Sequence, residues 1–309
     1  MTKLLRYLRS REWAVAALAL AFIVVQVWLD LKSPEYMAEI TRLVQVEGST
    51  MPEILTAGGK MLACSLGSLL AAVATAVCSS FIAAGFGGTM RAKMFHKVQS
   101  FSMEEIGRFS TPSLITRSTN DVMQVQMLIV LGLQMLIKAP ITAAWAITKI
   151  AGKRWEWTAA TGVAILVLLA VVGICLLIAT PRFRRMQRLT DDLNRVSREN
   201  LSGLSVVRAY NAEEYQQHRF DVVNDTLTNN QLVAYRTMVF LMPTIQATMS
   251  GLSLAIYWIG AAVINSALMA DKISLFSDMM VFSQYAIMVV MAFMMLVMIF
   301  MILPRAQVA

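Results

Sequence analysis

Six stretches of the chain are continuously apolar over lengths that neither a half-buried strand nor a surface helix requires. They run from Trp13 to Leu31, about Met61 to Gly88, about Met127 to Ile150, Trp157 to Ile178, about Met238 to Ala270, and about Ile273 to Leu303. An α-helix needs roughly 20 such residues to cross a hydrocarbon core of about 30 Å. A spanning barrel would instead alternate apolar and polar positions over about ten residues. The pattern therefore predicts an all-α membrane protein with six transmembrane helices in a single domain over residues 1–309.

The connections divide into two kinds. Those at about Lys32–Lys60, Ala151–Glu156 and Asp271–Lys272 are modest or short, whereas those at roughly 89–126 and 181–235 are long and retain helical periodicity. After Pro181, apolar residues recur at Met186, Leu189, Leu193 and Val196 with charges between them. About 50 residues of helix from Trp157 to Val206 would measure roughly 75 Å, more than twice the bilayer core. Pro181 is expected to bend this helix near the membrane surface. The second span likewise continues past Arg91 through Met94 and Val98.

Each of these stalks must turn round. Ser110 or Thr111 can cap a helix with Pro112 at its first position, leading into Ser113–Gln126, where Arg117 and Asp121 stand at i,i+4 spacing. In the second stalk Gly203 interrupts the helix. Asn211 can cap a short helix through Glu213, Glu214 and Tyr215 before the chain returns at Phe220. Two short helices held about 30 Å below a membrane read as docking points for a partner.

Composition agrees: 57% of residues are hydrophobic and 15% charged, against about 25% charged in soluble domains. The net charge of +8 would in a soluble protein raise the question of nucleic acid. Its distribution gives another answer. With the N-terminus inside, 19 of the 27 basic residues fall in the two termini and the two long loops, so the positive-inside rule places both ends in the cytoplasm. Lys149, Lys153 and Arg154, in a short turn on the opposite side, are the exception. The first apolar run is longer than a signal-peptide core and has no small-residue cleavage site after it, so it is expected to be retained. Cys64, Cys78 and Cys175 lie within spans at spacings that make neither a disulfide framework nor a metal site, and read as small hydrophobes.

Several polar and soft residues are candidates for a substrate path. Lys138 lies near the middle of the third span, where an ionisable group is costly and needs a partner. It either lines a cavity that attracts an anionic or carbonyl-rich substrate or makes an inter-helix hydrogen bond. Gln134, Gln246, Asn265, Ser283 and Gln284 also lie within or near spans. Among 23 methionines, Met288, Met291 and Met295 in the last span offer either an adaptable binding surface or ordinary apolar filler. Gly85, Gly87 and Gly88 read as sites of close helix packing. His96 and His218 are too isolated to suggest a metal site or a catalytic role.

The stretch GFGGTMRAKMFHKVQSFSMEEIGRFSTPSLITRSTNDVMQVQ resembles the first intracellular loop of bacterial ABC exporters of the multidrug or lipid type, and RENLSGLSVVRAYNAEEYQQHRF resembles their second. The similarity extends over essentially the whole chain, through YWIGAAVINSALMADKISLFSDMMVFSQY to LPRAQVA. It implies a transmembrane domain that dimerises, as homo- or heterodimer, with helices four and five crossing to the other subunit. It also implies alternating inward- and outward-facing states, an amphipathic small molecule, lipid or peptide carried between the halves, and nucleotide-binding domains coupled through two short helices. By motif position, Ser113, Arg117 and Asp121 belong to the first coupling segment. Glu199, Gly203, Val207, Arg208, Ala209 and Tyr210 belong to the second loop, with Glu213 and Glu214 just beyond.

The departure from the family is that no GxxxxGK[ST] phosphate loop occurs. The chain ends where the family's linker to its ATPase begins, so it is expected to be either a piece of a longer protein or a separate permease subunit. ATP and Mg are implied for the nucleotide-binding domain, with no cofactor or catalytic residue in this chain. The alternatives are a lipid flippase or peptide exporter of the same fold, or a non-transporting regulatory or receptor-like membrane subunit.

Overall fold

The computed structural model describes residues 9–45, 49–107, 111–268 and 271–308. Every regular element among them is helical. In chain order they are α1 (Ser10–Gln45), α2 (Met51–Gln99), α3 (Met103–Gly107), α4 (Thr111–Thr116), a π-helical turn (Arg117–Asp121), α5 (Val122–Gly132), a second π-helical turn (Leu133–Ile137) and α6 (Lys138–Ala151). Then follow α7 (Trp155–Ser202), α8 (Leu204–Ala209), α9 (Glu213–Val239), α10 (Leu241–Ser266) and α11 (Lys272–Val308). Six helical segments are long and apolar enough to cross a membrane.

The helices overrun the apolar runs. Helix α1 continues through Pro34 to Gln45, and α2 starts at Met51, where Thr50 and Glu53 form a capping box. The stretch that reads as an outside connection from the apolar pattern is thus mostly helix. Helix α7 is 48 residues long and passes through Pro181 without ending, a length of roughly 72 Å.

The chain forms two compact units, residues 1–161 with 253–309, and residues 162–252. In the first, α1 packs on α2 through a stripe of Ala19, Ile23, Val27 and Leu31, all at most 2% exposed. Helix α2 answers with Ser68, Ala71, Thr75 and Ser79, every one buried. Small residues at this spacing let two backbones approach closely, which is how helices gain packing energy where lipid is as apolar as leucine. The same device recurs on α6, whose Ala139, Ala143 and Ala146 are buried where α6 meets α11 and α1. Phe282 on α11 packs against Trp157 at 5.4 Å between ring centroids.

Gly85 and Gly87 are notches in α2. A Cβ on Gly85 would meet the Glu12 carboxylate, and one on Gly87 would meet the Gln126 amide. Glu12, only 3% exposed, accepts the Arg9 N–H at 2.8 Å and so closes the start of α1. Gln126 donates to the Ala83 carbonyl at 2.9 Å. Gly88 has nothing within 4 Å, so close packing explains two of the three glycines.

The second unit is a helical hairpin of α7 and α9 with its turn in α8. Asn230 donates to the Arg182 carbonyl at 2.9 Å, and Phe183 meets the Tyr235 ring edge-on at 6.4 Å. Farther out, Arg219 of α9 reaches Glu199 of α7 at 2.8 Å.

Candidate functional site

The first turnaround returns against α2. Phe86, Met90 and Met94 of α2 face Arg117, Asp121, Val122 and Val125 across a hollow of about 130 Å³. Its floor is apolar, with Phe86 only 1% exposed, and its rim carries the two charged residues. Arg117 and Asp121 are the two ends of the π-helical turn. Such turns widen the helix by one residue and are frequent at functional sites. Helical spacing thus places Arg117 and Asp121 together, but it does not reveal the widened turn that presents them. Ser110 lies outside the described residues, as do the side chains of Thr111 and Ser113; Pro112 is the second residue of α4.

The second turnaround differs from the sequence expectation. The short helix is α8, Leu204–Ala209, and Glu213 already begins the long return helix α9. Asn211 is no cap: the residue before α9 is Ala212, without a side-chain cap bond. Asn211 instead takes a left-handed backbone at φ 48°, a conformation asparagine tolerates better than most residues. The turn closes through the Ala212 N–H to the Val207 carbonyl at 2.9 Å. Gly203 ends α7 where a Cβ would stand 3.1 Å from the Glu199 carbonyl oxygen.

Around that tip, Val207 points inward and is buried, while Arg208, Tyr210, Glu213 and Glu214 are exposed. Glu199 differs from those four in holding the hairpin together, accepting from Arg219 and, at 3.5 Å, from Arg195. Asp192, hydrogen-bonded to Arg195, and then Glu199 raise the guanidinium pKa above its ordinary value. The result is a tip braced by charge that displays Tyr210, Arg208 and two glutamates to solvent.

Among the span residues, Lys138 finds its partner in Asp30 on α1, with Nζ 3.3 Å from Oδ2. Asp30 also accepts the Ser68 hydroxyl of α2. Three helices therefore meet at one ion pair, immediately after the second π-helical turn. The inter-helix bond is the reading of Lys138 that the geometry displays; its side chain remains 24% exposed. Asp30, at the end of the first apolar run, is the functional candidate that the hydropathy pattern conceals.

The basic exception in the short turn also has an explanation. Lys149 reaches Glu35 at 2.7 Å, Lys153 pairs with Asp278, and Arg154 stands 3.8 Å from Glu156. Lys32 and Tyr285 join the same Glu35, and Tyr285 donates to the Leu31 carbonyl at 2.9 Å. These cations are locally compensated.

Of the remaining candidates, Gln284, Met288, Met291 and Met295 recur at i, i+4, i+7 and i+11 and so share one face of α11. Gln284 and Met291 are exposed and the other two half-buried, whereas Ala286, Val289 and Val290 between them, and Phe282 just before, are fully buried. Gln134 is half-buried within the second π-helical turn. Gln246 is exposed on α10 and belongs to the other unit.

A family model described as ABC transporter transmembrane region matches residues 16–293. An uncharacterized ABC transporter ATP-binding protein of Mycobacterium tuberculosis is 32% identical over 95% of this chain and 50% of its own length. An uncharacterized ABC transporter ATP-binding protein of Bacillus subtilis is 27% identical over 86% of this chain and 46% of its own. An ATP-dependent lipid A-core flippase of Pseudomonas syringae is 23% identical over 53% of this chain and 28% of its own. The chain spans about half the length, or less, of the curated relatives it matches.

Proposed function

This chain belongs to the ABC transporter transmembrane-region family, and from that premise we propose that it is the substrate-translocating part of an ATP-driven exporter of amphipathic compounds, working by alternating access. It acts with a second transmembrane half and with nucleotide-binding domains that supply ATP and Mg chemistry. It lies in the cytoplasmic membrane with both termini in the cytoplasm, a reading supported by the concentration of basic residues in the termini and long loops. The compensation of Lys149, Lys153 and Arg154 by carboxylates removes the objection to that orientation.

The observation that carries the coupling role is the form of the two turnarounds. One presents Arg117 and Asp121 on a π-helical turn over an apolar hollow. The other presents Arg208, Tyr210, Glu213 and Glu214 on a tip braced by Glu199 and Arg219. Both suit recognition by a partner, and relatives named as ATP-binding proteins point to a nucleotide-binding domain as that partner.

The test is Asp121→Ala in the assembly that contains the nucleotide-binding domains. A hydrogen bond to a charged group is worth roughly 1.5–3 kcal/mol, so substrate-stimulated ATP hydrolysis should fall about tenfold or more while the helical fold is retained. Unchanged stimulation would refute the assignment. A second reading is that the cargo is a lipid, which the similarity to ATP-dependent lipid A-core flippases favours. Movement of a fluorescent lipid between leaflets of reconstituted vesicles would distinguish it from export of small amphiphiles.

A further inference from the structure

The outward face of α7 changes character abruptly along its length. Ile174, Leu177 and Ile178 are exposed, the second of them at 79%. Less than two turns later come Arg184, Arg185 and Arg188, all exposed as well. At 100° per residue these six positions fall on one side of the helix, and Phe183, which packs on Tyr235 of α9, falls on the other. No carboxylate occurs from residue 157 to residue 190, and α9 has none from residue 226 to its end at Val239. The nearest, Asp191 and Asp225, form no described ion pair with the three arginines.

We propose that this face of α7 binds an anionic phospholipid, with acyl chains along Ile174, Leu177 and Ile178 and the headgroup phosphate held by Arg184, Arg185 and Arg188. From Ile178 to Arg188 the helix rises roughly 15 Å, and the arginine stems extend to either side, so the cations span a headgroup layer while the isoleucines and leucine remain at chain depth. Uncompensated positive charges at i,i+3 and i,i+4 repel one another on a bare helix. An anionic headgroup removes that repulsion, and each basic side chain near an anionic membrane surface contributes attraction that salt screens. A zwitterionic headgroup satisfies the apolar half of the face equally well but leaves the three charges uncompensated.

The experiment uses the full chain, purified from mixed micelles of equimolar phosphatidylglycerol and phosphatidylcholine, with retained lipid quantified by mass spectrometry. Phosphatidylglycerol should be retained preferentially, and the preference should weaken as salt is raised. R184Q/R185Q/R188Q should lower retention by roughly 10²-fold, at about 1 kcal/mol per basic side chain and 1.4 kcal/mol per tenfold. R184K/R185K/R188K should keep the preference, because the attraction depends on charge. Equal retention of the two lipids by the unmodified chain at low salt overturns the proposal without requiring that any variant fold. So does an undiminished preference in the glutamine variant. Displacement of the lipid by excess inorganic phosphate would identify a simple anion site, and efficient cross-linking of a R185C chain to a second copy would identify a protein interface; either result also overturns it.

Discussion

Replacing Lys138 by methionine should be more damaging than replacing Lys138 and Asp30 together. The two side chains are 3.3 Å apart and 24% and 31% exposed. At an effective dielectric constant of about 20, that separation corresponds to roughly 5 kcal/mol of attraction, much of it offset by the loss of hydration of both groups. Lys138→Met leaves the Asp30 carboxylate among apolar helices with the Ser68 hydroxyl still bonded to it, and the cost of such an orphaned charge is about 3 kcal/mol. Asp30→Asn strands the ammonium, which at the centre of an apolar helix costs a similar roughly 2.5–3.5 kcal/mol. In D30N/K138M neither charge remains, and stability should return to within about 1 kcal/mol of the starting protein. Unfolding of the detergent-solubilised chain, followed by circular dichroism during titration with a denaturing detergent, measures all four members of the cycle. If the two single losses simply add in the double variant, the ion pair has no energetic coupling and the argument fails.

Two further outcomes follow from backbone geometry. Gly85→Ala should destabilise by about 1–3 kcal/mol, because its Cβ would displace the buried Glu12 carboxylate; Gly88→Ala, with open space around it, should be neutral or stabilising by up to about 1 kcal/mol in the same titration. At the tip of the second unit, Asn211→Val should cost about 1–2 kcal/mol because of the left-handed backbone there and Asn211→Gly almost nothing, read as loss of hydrogen-exchange protection across residues 204–213.

The six spans and the long helical stalks were legible because both depend on local periodicity and length, and the helices bear them out. Gly85 and Gly87 were legible as notches for the same reason: small residues in a long apolar helix have few other uses. Asp30 was not legible. It sits one position before the end of an apolar run whose average absorbs it, and its partner is distant in sequence on α6. The π-helical turns were equally hidden, since the choice between i→i+4 and i→i+5 bonding is made by packing against neighbouring helices. The second turnaround misled because asparagine serves both as a helix cap and as a left-handed hinge residue. The hydrogen bond from Ala212 to Val207 selects the second role, and it forms only once α8 exists.

Helix α2 has a mechanical consequence. It is 49 residues long, with its one proline in the first turn, and it touches the Asp30 ion pair through Ser68 and the hollow beneath Arg117 through Met94. Those two points lie roughly 39 Å apart along a stiff rod. A swing of about 5° pivoting at Ser68 would carry Met94 through roughly 3 Å, a full hydrogen-bond length. If α2 moves as one body, the ion pair at Asp30 and the contact with Arg117 and Asp121, the segment proposed above to meet a partner, are two ends of a single lever.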